Sequence, residues 1–222
     1  TFAQMPTGAI THVVIGITGA VYARYQQERK ALSGAFTKVL GIILRVSAPI
    51  AMVLFVEAHE LTRLLLGERW LELATILRWL VVYSFLRPLQ DDIHALLLAM
   101  GQPKKTTLVG AVQASVLFVL LPVLTSTHGL VGAALAMNGS SVLGAAMLLK
   151  YSLRYVDVPW RRIVVPPAIA VTAAILIVHS ISYLPQSSVL LVQVAIEVVV
   201  MLSAYTLILL ATEGTRLLHE FR

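Results

Sequence analysis

Between residues 74 and 100 an otherwise apolar segment carries Arg78, Arg87, Gln90, Asp91, Asp92 and His94. Ser84, Arg87, Asp91 and His94 recur at helical spacing and share one face, with Arg87 and Asp91 at i, i+4 where a guanidinium and a carboxylate can pair. Pro88 loosens the helix beside them. A cation near the middle of an apolar span is costly, so such a stripe cannot face hydrocarbon without compensation. Two readings stand. In one, the stripe lines a water-filled cavity where Arg87 attracts an anionic headgroup; in the other, a buried Arg87–Asp91 pair locks helices together.

Weaker candidates lie elsewhere. His12 interrupts a run of small residues, Gly8, Gly16 and Ala20, and so faces protein or a cavity rather than lipid. Arg45 and Arg78 sit near span ends, where a long side chain either reaches the membrane surface or contributes to a cationic site. Glu197, four residues after Gln193, is a candidate proton- or ion-responsive carboxyl, as is Asp91; the plainer reading of Glu197 is a protonated, hydrogen-bonded group.

Catalytic patterns are absent. Asp91-Asp92-Ile93-His94 has no second cluster to complete a metal site, and His59-Glu60-Leu61-Thr62-Arg63 places Arg63 where a zinc-protease motif needs its second histidine. There is no glycine-rich phosphate loop or serine elbow. With no cysteine, thiolate chemistry and disulfides are excluded. No enzyme, cofactor or metal is expected.

The elements that position these residues follow from composition. Hydrophobic residues make up 58% of the 222-residue chain and charged ones 13%, with a mean hydropathy of +0.85; that balance belongs in a bilayer. A spanning helix needs roughly 20 apolar residues. Spans are predicted near 5–23, 36–58, 74–100, 105–126, 129–150, 161–183 and 188–211. Runs such as 164–178 and 189–200 are apolar on every face, unlike the alternating strands of a barrel, so the spans must be helices.

Basic residues fall in every second connection. Four connections hold 12 of the 17 Lys and Arg, the three between them hold 2, and Arg45, Arg78 and Arg87 lie within spans. The positive-inside rule then puts the basic connections and the C-terminus in the cytoplasm and Thr1 outside. An outside start with no basic leader implies an odd number of preceding spans, hence a piece of a longer protein. The net charge of +6 is dispersed over these loops and forms no nucleic-acid surface.

Packing is also legible. Gly132, Ala136, Ser140 and Gly144 form a stripe of small residues that lets another backbone approach. Prolines 49, 122, 166 and 167 invite kinks.

The order of these features resembles a known family. The run LLLGERWLELATILRWLVVYSFLRPLQDDIHALLLAMGQPKK, residues 64–105, is similar to the C-terminal half of bacterial polysaccharide flippases, the O-antigen and exopolysaccharide exporters of the MOP superfamily. Gly67, Arg69 and Trp70 match an outer-loop signature, followed by an Arg-containing span and Gly101-x-Pro103 before a basic turn. Residues 21–26 resemble the cytoplasmic end of the repeat-opening helix, without the usual proline at 19–21, and residues 129–134 match the start of the next span.

The resemblance implies an all-α, polytopic helical membrane protein with about seven transmembrane helices of a larger 14-helix, two-lobed transporter. Residues 1–155 would form a lobe of about five spans, and 156–222 two additional C-terminal helices and a cytoplasmic tail. The implied job is translocation of undecaprenyl-diphosphate-linked oligosaccharide repeat units across the inner membrane by alternating access, for lipopolysaccharide or exopolysaccharide biosynthesis. Substrate contact would fall to Arg87, with Asp91, His94, Arg45, Arg78 and His12 as further candidates. Partners would be the lipid-linked oligosaccharide, the bilayer, the N-terminal half of the protein and polymerase or export machinery. A multidrug or lipid II exporter of the same superfamily, a small-molecule secondary transporter and a non-transporting membrane scaffold are the alternatives.

Overall fold

A computed structural model describes residues 18–181 and 190–214. Every regular element among them is helical. Helical residues 18–24 come first. Then follow α1 (Arg29–Val56), α2 (Ala58–Leu66), a single 3-10 turn (Glu68–Trp70), α3 (Glu72–Ala99), α4 (Pro103–Ser152), α5 (Trp160–Ile181) and α6 (Leu190–Glu213). The chain divides into two compact units, one of residues through Ile43 with Val82–Pro159, the other of Leu44–Val81 with Trp160 onward.

Among the described residues four helices are long and apolar enough to cross a membrane: α1, α4, α5 and α6. Helix α4 is two such helices in one. Gly129 breaks its 50 residues with φ 58 and ψ −139, a left-handed conformation that glycine alone adopts without penalty. The chain reverses there into a hairpin, because Gln113 pairs with Ser140 and Leu120 lies opposite Gly139. The expected spans 105–126 and 129–150 are these two arms. Helix α3 has the length to cross but not the apolarity; Arg78, Arg87, Asp91 and Asp92 account for that. Most of the expected first span lies outside the described residues.

Two boundaries differ from expectation. Helix α1 starts at Arg29 rather than near 36, since its basic first turns continue the helix beyond the apolar stretch. The connection 57–72 is not a bare loop: α2 is strongly amphipathic, with Ala58 and Thr62 buried and Leu65 exposed, and Gly67 at φ 86 turns the chain into the 3-10 segment. Prolines 49, 88, 122, 166 and 167 sit inside continuous helices. Freed carbonyls at such positions are tolerated where protein neighbours satisfy them.

The stripe of small residues does what its spacing predicts. Gly132, Ala136, Ser140 and Gly144 are all buried. A Cβ on Gly132 would collide with the Leu124 carbonyl, a backbone atom of the opposite arm, and one on Gly144 with the Gln113 side chain. Gly139 has room, its nearest neighbour being Leu120 Cδ1 at 3.6 Å.

In the same unit the 153–159 connection is clasped to the start of α1. Asp157 accepts two hydrogen bonds from Arg29, at 2.9 and 2.8 Å, and the Asp157 N–H donates to Ser33 Oγ at 2.9 Å. The Arg29 guanidinium holds the Asp157 carboxyl below its usual range.

Two predictions follow from this packing. Gly132→Ala should lower the thermal midpoint of the purified protein by several degrees, through an overpacking cost of about 1–3 kcal/mol, while Gly139→Ala leaves it nearly unchanged; equal midpoints would show that the arms are not in backbone contact. Because the folded Asp157 titrates below its unfolded value, its contribution is present at neutral pH and fades as pH falls through the acid range below about 4. The midpoint difference between wild type and Asp157→Asn should therefore shrink on acidification.

Candidate functional site

Helix α3 supplies the site because its residues divide between two environments. One face is buried: Leu89, Gln90, Asp92, Ile93, Leu96 and Leu97 are shielded from solvent. The other face presents Arg87, and part of Asp91 and His94, to open space. Since successive helical residues project about 100° apart, Asp91 and Asp92 meet different surroundings despite being neighbours.

Arg87 and Asp91 pair as the spacing predicts, Nε to Oδ2 at 3.3 Å, but the pair is lopsided: the Arg87 side chain is 55% exposed and that of Asp91 16%. Asp91 contacts the guanidinium at Nε. His94 lies within electrostatic reach of both. Asp91 and His94, with Gly19, Ala95, Leu98 and Ala99, line an open cavity of ≈ 460 Å³, large enough to admit polar groups of a ligand.

Behind this face a polar network anchors α3 to both arms of α4. Gln90 Nε2 donates to Ser141 Oγ at 2.7 Å and to the Ser141 carbonyl at 3.1 Å. Gln113 Nε2 donates to Gln90 Oε1 at 3.0 Å, and Ser140 Oγ to the Gln113 carbonyl at 2.9 Å. Two turns earlier, the Tyr83 N–H donates to Asn138 Oδ1 at 3.0 Å. Sequence reasoning placed Gln90 on the polar span but did not see its partners, because nothing in the residue pattern sets the register of α3 against the hairpin.

The other candidates separate. Arg45 is in the second unit, paired through both guanidinium edges with Glu213 at 2.8 and 2.7 Å. The two side chains are only 15% and 7% exposed, and the Arg45 carbonyl accepts the Tyr205 hydroxyl at 2.9 Å. This arginine ties α6 to α1 within that unit. Arg78 is exposed and lies in the second unit near Glu57. Glu197 accepts from Gln193 Nε2 at 3.0 Å and is hydrogen-bonded to Glu57. The expected Gln193 contact is present, and Glu57 is the partner the spacing could not reveal. His12, with Gly8 and Gly16, lies outside the described residues. Among the described residues there is no group of three or more His, Asp or Glu side chains arranged to hold a metal.

The chain is similar to several known proteins. Residues 1–75 match the family described as Polysaccharide biosynthesis protein. The chain is 24% identical over 146 residues to an uncharacterized membrane protein in the cps region of Klebsiella pneumoniae, covering 66% of this chain and 30% of that protein. It is 24% identical over 100 residues to the lipopolysaccharide biosynthesis protein WzxC of Escherichia coli (strain K12), covering 45% and 20% respectively. Among solved structures, the lipid II flippase MurJ in an inward closed conformation superposes with a TM-score of 0.76 at 13% identity, over 97% of this chain and 47% of that one. The chain thus spans less than half the length of the proteins it matches. The sequence matches and the shared fold make the chain similar to polysaccharide-biosynthesis membrane proteins and, in fold, to a lipid flippase.

Proposed function

We propose that this chain supplies one lobe of a transporter that moves an undecaprenyl-diphosphate-linked oligosaccharide repeat unit across the bacterial inner membrane by alternating access. In that reading the basic connections and the C-terminus face the cytoplasm, residues 1–155 belong to the lobe, and the last two helices are an addition to it. The other lobe comes from the N-terminal half of the parent protein.

The observation that carries the proposal is Arg87: a half-exposed guanidinium on a membrane-length helix, oriented by Asp91 and set beside an open cavity. A diphosphate needs a cation at membrane depth, and arginine's fork matches phosphate oxygens two at a time. Sugars need the neighbouring hydrogen-bonding groups, which Asp91 and His94 supply. Exposed apolar side chains such as Phe118 and Leu121 on α4 suit lipid. Arg87 binds the headgroup and Asp91 positions it, while Arg45 belongs to the packing of α6. No step makes or breaks a covalent bond, so no catalytic residue is assigned.

The fold shared with a lipid II flippase favours a second reading, export of lipid II, through the same cation and cavity. Substrate choice separates the two.

The test is leaflet transfer in proteoliposomes, with the full-length parent reconstituted at matched folded levels and offered a short lipid-diphosphate oligosaccharide or lipid II. Arg87→Gln should reduce transfer by about tenfold or more, the loss of a charge-assisted phosphate contact. Unchanged transfer would remove Arg87 from the path. Transfer of lipid II alone would establish the second reading. Arg45→Gln should act differently, lowering the yield of folded protein because Glu213 is left buried and unpaired at a cost of about 3 kcal/mol.

A further inference from the structure

Asp92 is one residue from the proposed headgroup site and takes no part in it. Its residue is 1% exposed, and the Tyr22 side chain that meets it is 0% exposed. The Tyr22 hydroxyl donates to Asp92 Oδ1 at 2.9 Å. The second carboxyl oxygen, Oδ2, is buried without a hydrogen-bond partner. An orphaned polar atom of this kind calls for a physical account.

The account lies in the charge state. A carboxylate offers about four acceptor positions, and here a single hydroxyl fills one of them. Around it, Asp91 and His94 stand on the same helix with Arg87 further back along it; helical residues 18–24 contribute Tyr22; and α1 contributes Phe36, whose ring lies 5.9 Å from that of Tyr22. None of these is a cation in contact with Oδ2. An ionised carboxylate so enclosed lacks both water and counter-charge, whereas a neutral acid loses only one hydrogen bond. The bond from Tyr22 alone would favour the anion, but one hydroxyl does not replace the water and counter-charge that an ionised carboxylate needs; in the neutral form Oδ1 is the carbonyl that accepts from Tyr22 and the proton resides on Oδ2.

We propose that Asp92 is a proton-binding carboxyl that is neutral while helical residues 18–24 pack on α3, and that loss of its proton opens that contact. Ionised Asp92 needs water, and water reaches it only when Tyr22 moves away. Gly19, on the same helical segment as Tyr22, walls the cavity opposite Asp91 and His94. Proton release at Asp92 therefore moves a wall of the cavity without any change in the residues that face the ligand.

The experiment has two readouts, neither of which depends on transfer, so it stands or falls separately from the flippase reading. Infrared spectra of the full-length parent in lipid nanodiscs at neutral pH should contain a protonated-carboxyl band that is missing in Asp92→Asn and shifted in Tyr22→Phe, where the hydroxyl donor is gone. In a cysteine-free parent carrying Thr18→Cys, a buried position on the moving segment, maleimide labelling normalised to the unfolded protein should speed up about tenfold or more between about pH 6 and pH 9. Adding Asp92→Asn should abolish that acceleration. Absence of the band in wild type, or a labelling acceleration that survives Asp92→Asn, would overturn the proposal.

Discussion

Hydrocarbon offers no hydrogen bonds, so each polar group carried into a span must find its partner inside the protein. This constraint organises the structure more than apolar burial does, because lipid tails solvate an apolar helix as well as another helix would. The polar contacts accordingly bridge elements far apart in sequence: Gln90 to Ser141, Ser140 to Gln113, Tyr22 to Asp92, Arg45 to Glu213. The apolar faces they leave behind, including Phe118 at 82% exposure, need no partner but lipid. Specific polar contacts set the register, and close approach at small residues completes it.

Arg87 departs from this pattern, and the departure gives it meaning. Where Arg45 is enclosed with Glu213, Arg87 is paired with Asp91 and still 55% exposed. The same helix is buried on one side, at Gln90 and Asp92, and partly exposed on the other, at Arg87.

What could be read from the residues was whatever a single helix determines. The spans, the Gly132-to-Gly144 stripe, the Gln193–Glu197 contact and the Arg87–Asp91 pair all depend on spacing within one segment. The break between the arms of α4 was legible because an uncharged Ser-Thr-His turn ending in glycine separates two apolar runs. What could not be read depends on register between helices. That Arg45 meets Glu213, 168 residues away, or that Asp92 rather than Asp91 is enclosed, depends on how neighbouring helices are rotated. Apolar runs that are hydrophobic all round carry no signal of that rotation.

The separation between Arg45 and Glu213 also has a consequence for biogenesis. The chain emerges from the ribosome in order, and at synthesis rates of about 5–20 residues per second the helix bearing Arg45 precedes its partner carboxylate by roughly 10–30 s. During that interval the guanidinium must be sheltered by lipid headgroups, the insertion machinery or a passing chaperone. The Arg45–Glu213 contact therefore forms only once α6 has been made, so this part of the packing cannot be completed as its helices are inserted one by one.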